Sequence, residues 1–142
     1  MSTSNIERVC FDLNVLIDVA ARWQSYPDSA QVFETIVFDP QYEGRWPACA
    51  FTTYYYVLAK LITAPRAREF IAHISDSIDM IPFDGDAASL ALRLNMNDLE
   101  DACIAASAFL GECDLIITRN EKDFSRSPVK AITPTALLSQ VA

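Results

Sequence analysis

Short apolar segments alternate along this chain with segments of helical periodicity. Residues 8–11 and 115–118 are apolar runs of strand length, too short to be helices. Between them, Leu99, Cys103, Ala106 and Leu110 recur at helical spacing, which predicts a helix over residues 98–110. Because strands that alternate with helices form parallel sheets covered by helices, the pattern predicts an α/β fold. We expect three α/β/α layers around a central parallel sheet.

The remaining elements complete one domain over residues 1–142. Residues 39–44 form a polar break. Further strands are predicted at residues 46–50, 78–83 and 129–132, and further helices at 13–22, from Pro27 to about 37, 52–61, from Pro65 to about 74, 86–94 and from Pro134 to about 141. No repeat, linker or low-complexity stretch divides the chain, so a single domain of 142 residues is expected.

Composition excludes several classes of function. The net charge of −8 argues against a broad basic face for membranes or duplex DNA, although a bound cation can reverse the local charge of an acidic site. Three glycines leave no glycine-rich phosphate loop. Four cysteines without C-x-x-C spacing predict reduced thiols in a cytoplasmic protein. No apolar run approaches about 18 residues, so neither a signal peptide nor a membrane span is expected.

Polar oxygen-bearing side chains follow two predicted strands and open one predicted helix. Asp12 comes directly after the first strand, Asp98 and Asp101 open the helix at 98–110, and Asn120 and Asp123 follow the strand at 115–118. In open α/β sheets such positions converge on one crevice at the carboxyl ends of the strands. Carboxylates without histidine or thiolate suit a hard divalent cation, Mg²⁺ or Mn²⁺.

Each of these polar positions also has a purely structural interpretation. Asp12 and Asp98 can cap the helices that follow them, and Asn120 and Asp123 favour turns. Asp98 and Asp101 lie on one helix face, about 4.5 Å apart in rise, so one can cap while the other faces the crevice. We expect Asp101 to be the ligand and Asp98 the cap or a supporting group. Asp18, in the first helix, is expected to be solvated or to support the site.

Four ordered motifs resemble those of the PIN domain, the ribonuclease fold of VapC-type toxins. Residues 9–18, V-C-F-D-L-N-V-L-I-D, resemble the family's first motif, D-T-N-V-L-L-D. Residues 98–102, D-L-E-D-A, resemble the D-F-E-D-A motif of one subgroup, and residues 118–124, T-R-N-E-K-D-F, resemble its T-R-N-x-x-D-F motif. Ile132-Thr133-Pro134 before a helix fits the family's ending. The resemblance covers nearly the whole chain.

The resemblance implies a metal-dependent endoribonuclease. Asp12 and Asp101 would bind Mg²⁺ or Mn²⁺. Asn120, or alternatively Asp123, would take the fourth ligand position of this metal site. Asp98 or Asp123 would support the ligands.

Two basic residues lie beside these acids in the sequence, and the resemblance also implies partners. Arg119 and Lys122 could contact phosphate oxygens of the RNA substrate. A small antitoxin protein would block the crevice. Homodimers are common among such toxins, and helices around residues 30–37 and 52–62 are the expected interface.

Thr53 departs from the family pattern. The family usually carries a glutamate on the helix after the second strand, and Thr53 is the nearest match here. The loss of one carboxylate predicts weaker metal binding and weaker nuclease activity.

Two other functions compete with the nuclease. A PIN-like protein-interaction module without catalysis is compatible with Thr53, and a metal titration would separate it from the nuclease. A haloacid-dehalogenase-like phosphatase would use Asp12 as nucleophile, but it needs a second aspartate two residues on, where this chain has Asn14.

Overall fold

A computed structural model describes residues 5–141, which form five strands and seven helices. The strands are β1 (Glu7–Phe11), β2 (Tyr42–Pro47), β3 (Asp79–Ile81), β4 (Leu115–Ile117) and β5 (Lys130–Ile132). The helices are α1 (Leu13–Ala21), α2 (Pro27–Phe38), α3 (Phe51–Leu61), α4 (Ala64–Ser77), α5 (Gly85–Arg93), α6 (Leu99–Leu110) and α7 (Pro134–Val141). Short 3-10 turns span Ala48–Ala50 and Glu121–Phe124.

All five strands are parallel, in the order β3-β2-β1-β4-β5. The chain runs outward from β1 through β2 to β3, then returns to place β4 on the other side of β1. In the central register Val9 lies beside Gly44 on β2 and beside Leu115 on β4. The order of strands therefore reverses between β1 and β4, and such switch points form crevices at the carboxyl ends of the strands.

Helices cover both faces of the sheet, so the predicted three-layer α/β/α fold is confirmed. Successive side chains of a strand point to opposite faces. Val9 and Phe11 of β1 accordingly belong to one buried cluster, which includes residues of α1, α2, α3, α4 and α7. Cys10 belongs to a second cluster, which includes residues of α6. Each fully buried large apolar side chain contributes about 1.5–3 kcal/mol.

The second strand is β2, four residues earlier than the sequence predicted. The prediction placed residues 39–44 in a polar break and a strand at 46–50, whereas residues 48–50 form a 3-10 turn. Gly44 and Trp46 are buried, while Glu43 and Arg45 are half-buried and pair with each other at 2.6 Å. Arg8 of β1 also pairs with Glu43, at 3.3 Å. The strand has a polar sequence because its charged side chains neutralise one another, and for this reason the prediction missed its first residues.

No helix within residues 5–141 combines the length and apolar character that crossing a bilayer requires.

Candidate functional site

Asp12 lies at the switch point between β1 and β4, and its side chain is held by two hydrogen bonds. Oδ1 accepts from the backbone N–H of Leu13 at 2.7 Å, and Oδ2 accepts from Oγ1 of Thr118 at 2.7 Å. Only 6% of Asp12 is exposed. Burial raises the pKa of Asp12, while the bonds from Thr118 and Leu13 act in the opposite direction. Asp12 is therefore both the cap of α1 and a fixed acid at the sheet edge.

Asp98 and Asp101 open α6, as the sequence indicated. Asp98 is the N-cap, and its Oδ1 accepts from the backbone N–H of Asp101 at 2.9 Å. Asp101 is half-buried. Burial, followed by the charges of Asp12, Asp98, Asp123 and Glu100, raises the pKa of Asp101 to about 7. The charge of Asp12 is thus one cause of the raised pKa of Asp101.

The segment after β4 forms the rim beside these acids. The backbone N–H of Asn120 donates to Oγ1 of Thr118 at 3.1 Å, and that of Asp123 donates to the Asn120 carbonyl at 3.0 Å. Phe124 is buried and anchors the 3-10 turn, while Asn120 and Asp123 are exposed. The predicted turn role is thus present. Asp123 also adds charge that raises the pKa of Asp12 and Asp101.

A polar crevice of about 410 Å³ lies between the start of α6 and this rim. Asp98, Asp101, Lys122 and Asp123 are in its lining, and Arg126 contributes a second cation. Neither Asp12 nor Asn120 is part of that lining. The structure therefore brings two acids of α6 together with one acid and one lysine from the segment after β4.

Arg119 is not part of the lining of this crevice. Its Nε donates to Oδ2 of Asp18 at 2.7 Å, and its guanidinium carbon lies 4.0 Å from the centre of the Tyr26 ring. Asp18 also accepts from Oγ of Ser29 at 2.8 Å and is fully buried. The expectation of a solvated Asp18 is therefore wrong. The physical reason is the cation beside it, because a carboxylate enters the interior only with charged or hydrogen-bonding partners.

Thr53 lies in the first turn of α3, and its Oγ1 donates to Oε2 of Glu100 at 2.8 Å. Neither Glu100 nor Thr118 was predicted from the sequence as a residue of the site. Both residues fall within the motifs at 98–102 and 118–124, which was the available signal.

The donor set consists of oxygen atoms and fits a hard divalent cation in its chemistry. Within residues 5–141, no group of three or more His, Cys, Asp or Glu side chains is arranged to hold an ion. Mg²⁺ keeps several waters and usually takes one or two carboxylates together with substrate phosphates. A pair such as Asp12 and Asp101 is consistent with that requirement.

Fold and site together define an open α/β domain with a cluster of acids at its topological switch point. The family model described as a PIN domain matches residues 8–122. The chain belongs to the PIN-domain family, as the sequence motifs predicted. This membership removes the support for the haloacid-dehalogenase-like alternative.

Several solved structures have the same fold. VapBC2 of Rickettsia felis, bound to a promoter DNA fragment, matches with a TM-score of 0.70 at 12% identity, over 89% of this chain and 98% of that chain. A toxin–antitoxin complex of Klebsiella pneumoniae matches with a TM-score of 0.67 at 26% identity, over 89% of this chain and 97% of that chain. FitAcB of Neisseria gonorrhoeae matches with a TM-score of 0.69 at 18% identity, over 89% of this chain and 98% of that chain. No curated protein matches the sequence significantly.

Proposed function

We propose that this protein is a metal-dependent endoribonuclease and the toxin of a toxin–antitoxin pair. The observation that carries the proposal is that Asp98, Asp101 and Asp123 line one crevice of a PIN domain. Like charges brought together repel, and a divalent cation between them removes that cost.

Asp12 and Asp101 would hold one or two Mg²⁺ or Mn²⁺ ions. When bound, such an ion stabilises charge on the scissile phosphate and makes water a better nucleophile. Thr118 fixes the Asp12 carboxylate, and Asp98 fixes the backbone that carries Asp101. Asn120 would orient a water at the rim, with Asp123 as the alternative.

Of the two basic residues predicted to contact RNA, Lys122 is the better placed. It is exposed and lines the acidic crevice, where an ammonium group can pair with a phosphate oxygen. Arg119 was expected to share this role, but its guanidinium already pairs with Asp18. We therefore assign substrate contact to Lys122 and a positioning role to Arg119.

The proposed partners are an antitoxin and a second copy of the chain. The similar structure from Klebsiella pneumoniae is a toxin–antitoxin complex, which supports an antitoxin that covers the crevice. Exposed aromatic side chains support the dimer: Tyr56 of α3 is 64% exposed and Phe38 of α2 is 78% exposed. Sedimentation showing only monomers at micromolar concentration would contradict the dimer. A cytoplasmic location remains a prediction.

The test is RNA cleavage by purified wild-type protein and Asp101→Asn, each with Mg²⁺, with Mn²⁺ and with a chelator. We expect cleavage by the wild type with either metal, none with the chelator and none by the variant. Cleavage that persists in Asp101→Asn would point to a contaminating nuclease, and absence of wild-type cleavage under all conditions would contradict the proposal.

One observation favours the rival interaction module. Thr53 supplies no carboxylate, and within residues 5–141 no three potential ligands are grouped around a common point. Titration with Mg²⁺ separates the two functions, because a module without ligands binds no metal at millimolar concentration.

A further inference from the structure

Arg126 joins the two walls of the acidic crevice. It follows the 3-10 turn after β4, and its Nη1 donates to the backbone carbonyl of Asn95 at 2.8 Å. Asn95 lies between α5 and α6, directly before Met96 and Asn97, which line the crevice together with Arg126. The hydrogen bond therefore holds the Arg126 side chain between the segment that precedes α6 and the segment that follows β4.

A turn in the backbone sets the position of the acceptor carbonyl. Asn95 has a φ angle of 56°, in the left-handed region. Asparagine and glycine adopt this conformation readily, whereas a β-branched residue is strained in it. Because the bond from Arg126 ends on the carbonyl of Asn95, its geometry depends on this turn and not on the asparagine side chain.

Most of the Arg126 guanidinium remains available for a ligand. The group carries five N–H donors, and the bond to Asn95 uses one of them, from Nη1. Within residues 5–141, Nε and Nη2 donate to no protein atom and Arg126 forms no ion pair, although three aspartates line the same crevice. Nε and Nη2 lie on one edge of the planar group, and such an edge matches two oxygens of a phosphate.

The size and charge of the crevice fit one nucleotide of a single strand. Its volume of about 410 Å³ is within the range of pockets that bind small ligands. The carboxylates in its lining repel a phosphate, so a phosphate needs cationic partners to bind there. Lys122 and Arg126 supply two positive charges. Arg126 offers donors in a fixed fork and Lys122 a point charge, so the arginine is the residue that can orient a phosphate.

We propose that Arg126 binds a phosphate of the RNA substrate through Nε and Nη2, while Nη1 stays bonded to Asn95. The inference rests on the proposed ribonuclease function, because it takes RNA as the ligand. It adds a substrate-binding residue that lies outside the motif at residues 118–124. The turn at Asn95 positions this residue, so the segment before α6 takes part in substrate binding.

The first test is steady-state cleavage of a single-stranded RNA oligonucleotide with Mn²⁺ by the wild type, Arg126→Met and Arg66→Met. Arg66 is exposed on α4 and outside the lining of the crevice, so its variant loses the same charge elsewhere. We expect the KM of Arg126→Met to rise about 10-fold with little change in kcat, because a charged contact made before the chemical step is lost. Arg66→Met should keep the wild-type KM. Equal KM values for Arg126→Met and the wild type would overturn the proposal.

The salt dependence of KM tests whether the ligand of Arg126 is a phosphate. Each phosphate contact releases counterions, so the loss of one contact lowers the slope of log KM against log salt concentration by about 0.7 for a single strand. We expect this smaller slope in Arg126→Met and the wild-type slope in Arg66→Met. A raised KM with an unchanged slope would mean that Arg126 only stabilises the crevice, and it would overturn the phosphate contact.

Arg126→Lys and two variants at Asn95 test the geometry. Arg126→Lys keeps the charge without the fork, so its KM should lie between those of the wild type and Arg126→Met, and it keeps the proposal testable if Arg126→Met does not fold. Asn95→Gly keeps the turn and the carbonyl and should keep the wild-type KM, whereas Asn95→Val strains the turn and should raise KM. A wild-type KM in Asn95→Val would show that the turn does not position Arg126.

These measurements separate the inference from the proposed function. If the wild type cleaves RNA and Arg126→Met has the same KM and the same salt slope, the inference alone fails. If the wild type cleaves no RNA with either Mg²⁺ or Mn²⁺, the ribonuclease function fails and the inference fails with it.

Discussion

Arg119 donates from Nε to Oδ2 of Asp18 at 2.7 Å, and this ion pair ties the segment after β4 to helix α1. Asp18 is fully buried. Burial raises the pKa of Asp18, while hydrogen bonds from Ser29 and Arg119 and the charge of Arg119 act in the opposite direction. Arg119 precedes Asn120, so the pair also helps to place the rim of the acidic crevice.

Arg119→Met should destabilise the protein. The variant leaves the Asp18 carboxylate buried without its cation, and removal of one partner of a buried pair costs about 3–5 kcal/mol. Because Arg119 is partly exposed, we expect a loss of about 2–3 kcal/mol in the free energy of unfolding. Urea denaturation measures it.

Lys122→Met is the matched control. Lys122 is exposed, so its variant should remain within about 0.5 kcal/mol of the wild type. If Arg119→Met kept wild-type stability and lost RNA cleavage, Arg119 would act on the substrate, as the sequence had suggested.

Asp101→Asn and Asp98→Asn should differ sharply in RNA cleavage. Asp101→Asn removes a ligand charge, so cleavage should fall by more than the about 10- to 100-fold that loss of a supporting residue costs. Asp98→Asn keeps a side-chain oxygen that can cap α6, so cleavage should fall much less and stability should change by less than about 1 kcal/mol. Equal losses of cleavage at unchanged stability would mean that the two roles are assigned wrongly.

The metal-free protein should lose stability as the pH rises from about 4 to about 7. Asp101 has a pKa of about 7 in the folded protein, well above its ordinary value. Between the two values the folded state binds more protons than the unfolded state, so the free energy of unfolding falls with pH. The raised pKa of Asp12 acts in the same direction.

Denaturation at several pH values with a chelator present measures this slope. Asp101→Asn should reduce it, because the amide does not titrate. A wild-type slope that is unchanged in the variant would show that Asp101 is not the group responsible.

Gly44→Ala should destabilise the fold through overpacking. A Cβ atom at Gly44 would lie 2.8 Å from Cγ2 of Ile78 and 2.9 Å from Cγ2 of Ile36, both in the core. We expect a loss of about 1–3 kcal/mol. Gly85 is the control, since a Cβ atom there has no neighbour within 4 Å, and Gly85→Ala should leave thermal stability unchanged or slightly raised. Equal thermal stability of the two variants would contradict the close packing of β2.

The sequence was informative where the role of a residue depends on the residues next to it in the sequence. Asp12 follows an apolar strand, Asp98 opens a periodic helix, and Pro27 begins α2, each readable from a few adjacent positions. The second strand was misplaced because Glu43 and Arg45 look like loop residues until their pairing is seen.

Contacts between distant segments could not be predicted. Asp18 and Arg119 are 101 positions apart, and Thr53 and Glu100 are 47 apart. In each case a polar residue, which would be costly to bury or free to move by itself, is held by a partner that folding brings next to it. The same limit applied to Thr118, whose bond to Asp12 spans 106 positions.

The central claim is that Asp12 and Asp101 together hold a divalent cation. Calorimetric titration of Mn²⁺ at neutral pH into the wild type, Asp12→Asn and Asp101→Asn tests it most directly. We predict binding by the wild type, with protons released as Asp101 ionises, and a large loss of affinity in both variants. Equal Mn²⁺ affinity in all three proteins, or no binding by the wild type at millimolar Mn²⁺, would contradict the claim.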